Sequence, residues 1–81
     1  MRNGHDARIK GSGDLGRWRA KRGLTQFRVA VQLEITPPYL SRIEAGRANP
    51  SASIVEGLAA ILGKPVPAIR AAIARAQKAA A

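Results

Sequence analysis

The 81-residue sequence contains no cysteine, which excludes disulfides and thiolate metal sites. Its single histidine, His5, sits in a polar leader; metal sites need several donors, so a solvated side chain is expected there and no metal or cofactor. Aromatic residues are scarce, with one each of Trp, Tyr and Phe. Acidic residues are few and scattered, with no His–acid pair and no glycine-rich phosphate loop, so an enzyme is not expected. No apolar run approaches the ~20 residues of a membrane span. Arg2 and Arg8 have no apolar core behind them, so a secretory signal is not expected, and a cytoplasmic, nucleoid-associated location is. No stretch alternates apolar and polar residues as a half-buried strand would.

What is present is positive charge and helical periodicity. Lys and Arg total 14 against 5 Asp and Glu, a formal charge of +9. That surplus on so short a chain favours a polyanionic partner, nucleic acid first and an anionic membrane surface second. The length allows one small domain, burying only roughly 60 to 65% of its unfolded surface and therefore marginally stable unless it oligomerises.

Residues 1–13 are Gly-rich, polar and aperiodic, and read as a flexible basic arm. Arg2, Arg8 and Lys10 there could touch a phosphate backbone; a plain unstructured tail is the competing reading. Residues 14–81 then form the domain. Helix 1 is expected over 14–22, capped by Ser12 or Asp14 and ended by Gly23, with Leu15 and Trp18 inward. Helix 2 is expected up to Leu33 behind the cap Thr25, with Val29, Ala30 and Leu33 inward and Leu24 as a staple. Ala30 is small enough to let the next helix cross closely. Phe27 and Val31, four apart, form a separate exposed apolar pair, a contact for a partner chain or another segment. After the turn at Glu34 and Ile35, Thr36 caps helix 3, about 37–45. Pro37 and Pro38 are tolerated because the first helical positions need no backbone donor. Leu40 and Ile43 point inward, and Gly46 ends the helix. Helix 4 starts at Ser51 or Ala52 and runs to Leu62, with Val55, Leu58, Ala59 and Leu62 as its core stripe and Ile54 and Ile61 as a second apolar line. Helix 5 begins at Pro67 or Ala68, with Val66, Ile69 and Ile73 inward and an Ala-rich end that should fray. Arg70, Arg75 and Lys78 face little more than alanine across it, so a membrane-surface helix is not expected.

The order of residues from Leu15 to Gly63 also resembles a known family. The residues that carry it are Leu15, Arg19, the run Arg22-Gly23-Leu24-Thr25-Gln26, Ala30, Leu33, Ile35-Thr36, the run Tyr39-Leu40-Ser41-Arg42-Ile43-Glu44, Gly46, Asn49-Pro50-Ser51 and Leu62-Gly63. In this set, with its spacing intact across four helices, the chain is similar to the Cro and phage-repressor type of helix-turn-helix domain, the XRE family. The resemblance leaves out the arm and most of helix 5. It implies an all-α, five-helix, lambda-repressor-like domain whose helix 3 enters the major groove of double-stranded DNA.

The resemblance also implies roles. Arg42 and Ser41 face outward from helix 3; a guanidinium can grip guanine O6 and N7 together, worth ~1 to 3 kcal/mol of discrimination. The competing reading of Arg42 is a phosphate contact or a solvated arginine. Thr36, Pro37 and Pro38 complete the base-facing set. Many relatives carry a polar reader where this chain has the prolines, so apolar contact with a thymine methyl, or shape complementarity, is expected. Gln26 matches a glutamine that clamps a phosphate in the family, where the helix dipole favours an anion; a solvent-exposed first-turn glutamine is the alternative. Arg47 and Asn49 are placed for phosphate contacts, and Tyr39 could make one through its hydroxyl or simply cover the helix edge. Arg19 and Glu44 match a structural ion pair, expected to be partly buried and to set the angle of helix 3. Glu34 stands where the family usually has a left-handed glycine, so either that turn is strained or helix 3 is tilted.

The implied function is a sequence-specific transcriptional regulator of repressor or controller type, binding a pseudo-palindromic operator as a homodimer. Ile54, Ile61 and the helix 5 face are the dimer candidates. The alternatives are a DNA-binding antitoxin, whose toxin partner would use Phe27, Val31 or the tail, and a protein-interaction adaptor on the same fold.

Overall fold

Short polar side chains start three of the helices of this chain. In a computed structural model, which describes residues 13–81, the Thr25 hydroxyl accepts from the Arg28 backbone nitrogen at 3.1 Å, Thr36 from Tyr39 at 3.2 Å, and Ser51 from Ile54 at 3.3 Å. Each bond satisfies one donor that the first turn of a helix leaves without a partner. The described residues form five helices and no strand: α1 Gly13–Lys21, α2 Gln26–Leu33, α3 Pro37–Glu44, α4 Ala52–Leu62 and α5 Val66–Ala80. The arm, with Arg2, Arg8 and Lys10, and the suggested cap at Ser12 lie outside the described residues.

Two starts differ from expectation by small amounts. Helix α1 begins at Gly13, so Asp14 falls inside its first turn and does not cap it. Helix α5 begins at Val66 behind Pro65, ahead of Pro67, with no side-chain cap; Pro67 occupies an early position where no donor is needed. The tail stays helical through Ala80.

The helix ends use left-handed residues. After α1, the Gly23 nitrogen bonds the Ala20 carbonyl and the Leu24 nitrogen bonds the Arg19 carbonyl, the paired closure expected of a left-handed C-terminal residue. Helix α2 closes the same way, Glu34 nitrogen to Val31 and Ile35 nitrogen to Ala30, but with Glu34 at φ 59°. Of the two alternatives for this turn, the structure takes the strained one.

Every helix contributes to one core: Leu15 from α1, Val29 and Ala30 from α2, Leu40 and Ile43 from α3, Val55, Leu58 and Leu62 from α4, and Ile69, Ala72 and Ile73 from α5. Trp18, Leu24, Leu33, Ile35, Ile54, Ala59, Ile61 and Val66 are half-buried against it. Helix α2 packs on α3 and α4, α1 on α3 and α5, and α5 on α4 and α3. The fully buried Ala30 lies in the α2–α3 pair, where a larger side chain would push the helices apart. Where the chain leaves α3, Gly46 has φ 78°, and a Cβ there would overlap the Ala76 carbonyl and stand 2.6 Å from the Gln77 nitrogen. Backbone thus meets backbone between the end of α3 and α5. Helix α3 is held on its inner side by α2, α1 and α5, and its outer side is left to solvent.

Candidate nucleic-acid interface

A charged cluster locks the end of α3. Glu44 is 3% exposed and Arg19 of α1 is 1% exposed. Arg19 Nε donates to Glu44 Oε2 at 2.6 Å and Nη2 donates to Oε1 at 3.0 Å, a fork-to-fork pair. Arg19 Nη1 donates to the Leu24 carbonyl at 2.8 Å, beside the start of α2. Gln26 Nε2, at the first position of α2, donates to Glu44 Oε1 at 3.0 Å. One carboxylate therefore ties α1, α2 and α3 together. The expectation of partial burial is corrected: both charges are fully buried, because Leu40 and Ile43 pull the same side of α3 against the core, each with 0% exposure.

The outward side of α3 carries different chemistry. Thr36, Pro38, Ser41 and Arg42 are exposed, and Pro37 and Tyr39 are half-buried. Pro38, Ser41 and Arg42 share one face at three- and four-residue spacing. Among the described residues Arg42 pairs with no carboxylate. Arg47 is exposed, and its backbone nitrogen donates to the Arg42 carbonyl at 2.8 Å, which holds the chain after α3 close to its last turn. Asn49 is exposed but tied to α5, since Gln77 Nε2 lies 3.4 Å from both its Oδ1 and the Ala48 carbonyl. Half-buried Gln26 uses its amide nitrogen on Glu44, so its amide oxygen and the backbone start of α2 are what it offers outward.

Two features escaped the sequence. Arg28 is exposed in the first turn of α2, which contains no acid. A cation at a helix N-terminus opposes the macrodipole, and that misplacement was the available signal. It strengthens the anion-attracting corner already formed by the α2 N-terminus and Gln26. Asp14 pairs with Arg17 one turn on and with Arg75 of α5, the Arg75 Nε at 2.8 Å, so α1 and α5 are joined across their surface. No local pattern announces a contact between residues that far apart in the chain.

Two helices joined by a short turn, the second anchored by its apolar side and turned outward by its polar one, define a helix-turn-helix DNA-binding domain. A family model described as a helix-turn-helix domain matches residues 13–73, most of the chain, and the protein belongs to that family. No curated protein and no solved structure matches it. Among the described residues no single helix is long and apolar enough to cross a membrane.

Proposed function

We propose that the protein is a sequence-specific transcriptional regulator of the Cro and phage-repressor class, of repressor or controller type. It binds a pseudo-palindromic operator in double-stranded DNA as a homodimer. The observation that carries this reading is the two-sided character of α3: Leu40 and Ile43 fully buried, Glu44 clamped, and Thr36, Pro38, Ser41 and Arg42 exposed. A major groove about 12 Å wide admits one helix, and a helix so anchored presents its outer side as a unit.

In this reading Arg42 reads a guanine edge, Ser41 and Thr36 offer hydroxyls, and Pro37 and Pro38 make apolar contact. Gln26, Tyr39, Arg47 and Asn49 meet phosphates, and Arg28 joins them. The Arg19–Glu44 pair is structural. Ile54, Ile61 and the outer face of α5 are the surfaces offered for the dimer, with half-sites about one helical turn of DNA apart. A DNA-binding antitoxin is the second reading, favoured by Phe27 and Val31 of α2, which are 65% and 57% exposed. Stoichiometric co-purification of a small toxin that is lost in the Phe27→Ser/Val31→Ser variant would select it.

Binding-site selection from random duplexes tests the main reading. A two-fold consensus is expected. Arg42→Ala should relax preference at one base position, costing ~1 to 3 kcal/mol there. Arg47→Ala should weaken every duplex about equally and lower the salt slope by about one. Identical profiles for the two variants would refute the roles assigned.

A further inference from the structure

We propose that the leading turn of α3 reads the C5-methyl group of a pyrimidine, so that the protein separates thymine from uracil and accepts 5-methylcytosine where thymine stood. The proposal rests on α3 being the recognition helix. In helix-turn-helix docking the N-terminal residues of that helix reach the base edges. Here those residues are Thr36 at the cap followed by Pro37 and Pro38. Neither proline has a backbone N–H, and neither side chain has a polar atom. The Thr36 oxygen is turned back to the helix, accepting from the Tyr39 nitrogen at 3.2 Å, and Tyr39, the one other polar side chain of the turn, is half-buried, so the Thr36 hydroxyl proton is the turn's one donor on an exposed side chain. The next exposed polar side chain is Ser41, one turn further on.

A surface with so few donors and acceptors cannot recognise the polar edge of adenine or guanine; it would strip water from those edges and return nothing. In the major groove the one apolar feature among the four bases is the thymine methyl. Cytosine methylated at C5 places the same group at the same ring position. Starting the helix does not account for Pro38, since Pro37 already occupies the favoured first position and the Pro38 ring is exposed to solvent. Proline rings are also rigid, so covering a methyl with them orders no flexible side chain. Pro38 lies on the same face as Ser41 and Arg42, which places the methyl-reading position next to the base that Arg42 contacts.

The test uses the preferred duplex from selection, at fixed salt, with each thymine replaced in turn by uracil. The protein is unaltered, so its folding is not in question. At a thymine in each half-site, beside the position that Arg42→Ala relaxes, uracil should weaken binding about fourfold, the factor that ~0.8 kcal/mol for one buried methyl-sized group corresponds to. Uracil elsewhere should be neutral, and at the same position 5-methylcytosine should bind better than cytosine by a similar factor. Pro38→Ala, which trades the ring for a single methyl at a position that needs no donor, should shrink the uracil effect. Equal binding of thymine and uracil duplexes at every position overturns the proposal and leaves the regulator reading intact. An undiminished uracil effect in both Pro37→Ala and Pro38→Ala overturns it as well. Failure to select any preferred duplex would instead sink the regulator reading itself.

Discussion

Glu44→Gln removes one charge and nearly no volume, and it should be the most damaging conservative change in the chain. Both carboxylate oxygens face donors only: Oε2 meets Arg19 Nε, and Oε1 meets Arg19 Nη2 and Gln26 Nε2. Whichever way a glutamine amide is turned, its NH2 confronts a donor, and the Arg19 guanidinium loses its counter-charge where it is 1% exposed. Breaking a buried pair in this way costs ~3 to 5 kcal/mol. An 81-residue domain has roughly 4 to 12 kcal/mol in total, so the variant loses about a quarter of its stability or more. Urea melts followed by circular dichroism would show a lowered midpoint at unchanged slope, and thermal melts a fall of at least about 12 °C. A loss under ~1 kcal/mol, the value for exposed pairs, would refute the view that the cluster is desolvated and structural. Arg19→Met alone should be at least as harmful, because it also strips the Leu24 carbonyl of a donor at 2.8 Å. The double variant Arg19→Met/Glu44→Leu should recover much of the loss, since no buried charge is then left without its partner.

Two other substitutions test the backbone. Glu34→Gly should stabilise the domain by up to about 1.5 kcal/mol: relief of a left-handed residue at φ 59° returns ~1 to 2 kcal/mol, and the added chain freedom of glycine takes back ~0.5 to 1. A lower urea midpoint would show that the Glu34 side chain makes a stabilising contact that outweighs the strain. Gly46→Ala should destabilise by more than ~2 kcal/mol, because it combines left-handed strain with overlap against the Ala76 carbonyl. A thermal melt within a few degrees of the parent would mean that α3 and α5 are not in backbone contact.

Much of this fold is legible because its signals are local. Thr25, Thr36 and Ser51 lie just before an apolar stripe and cap the helices that follow. Gly23, Gly46 and Gly63 lie just after one and take the left-handed conformation there. Leu40 and Ile43 could be read as the anchor of α3 from spacing alone. Resemblance to a family pairs Arg19 with Glu44, but it does not give their depth, because burial depends on how the helices close over them. Alanine was the least legible residue. Ala72 is as buried as Leu58, and Ala76 backs onto Gly46, but in an Ala-rich tail no contrast between faces marks either one.

The sequence by itself determined where helices begin and end, which side of each is apolar, and that the chain carries a large positive surplus. Those properties depend on neighbours within about one turn, or on no neighbours at all. Tertiary structure decided which polar groups lose their water: Glu44 shared by Arg19 and Gln26, and Asp14 reached by Arg75 from sixty-one residues away. The free energy of a charge is set by everything that surrounds it, and only the packed arrangement of α1, α2, α3 and α5 specifies those surroundings.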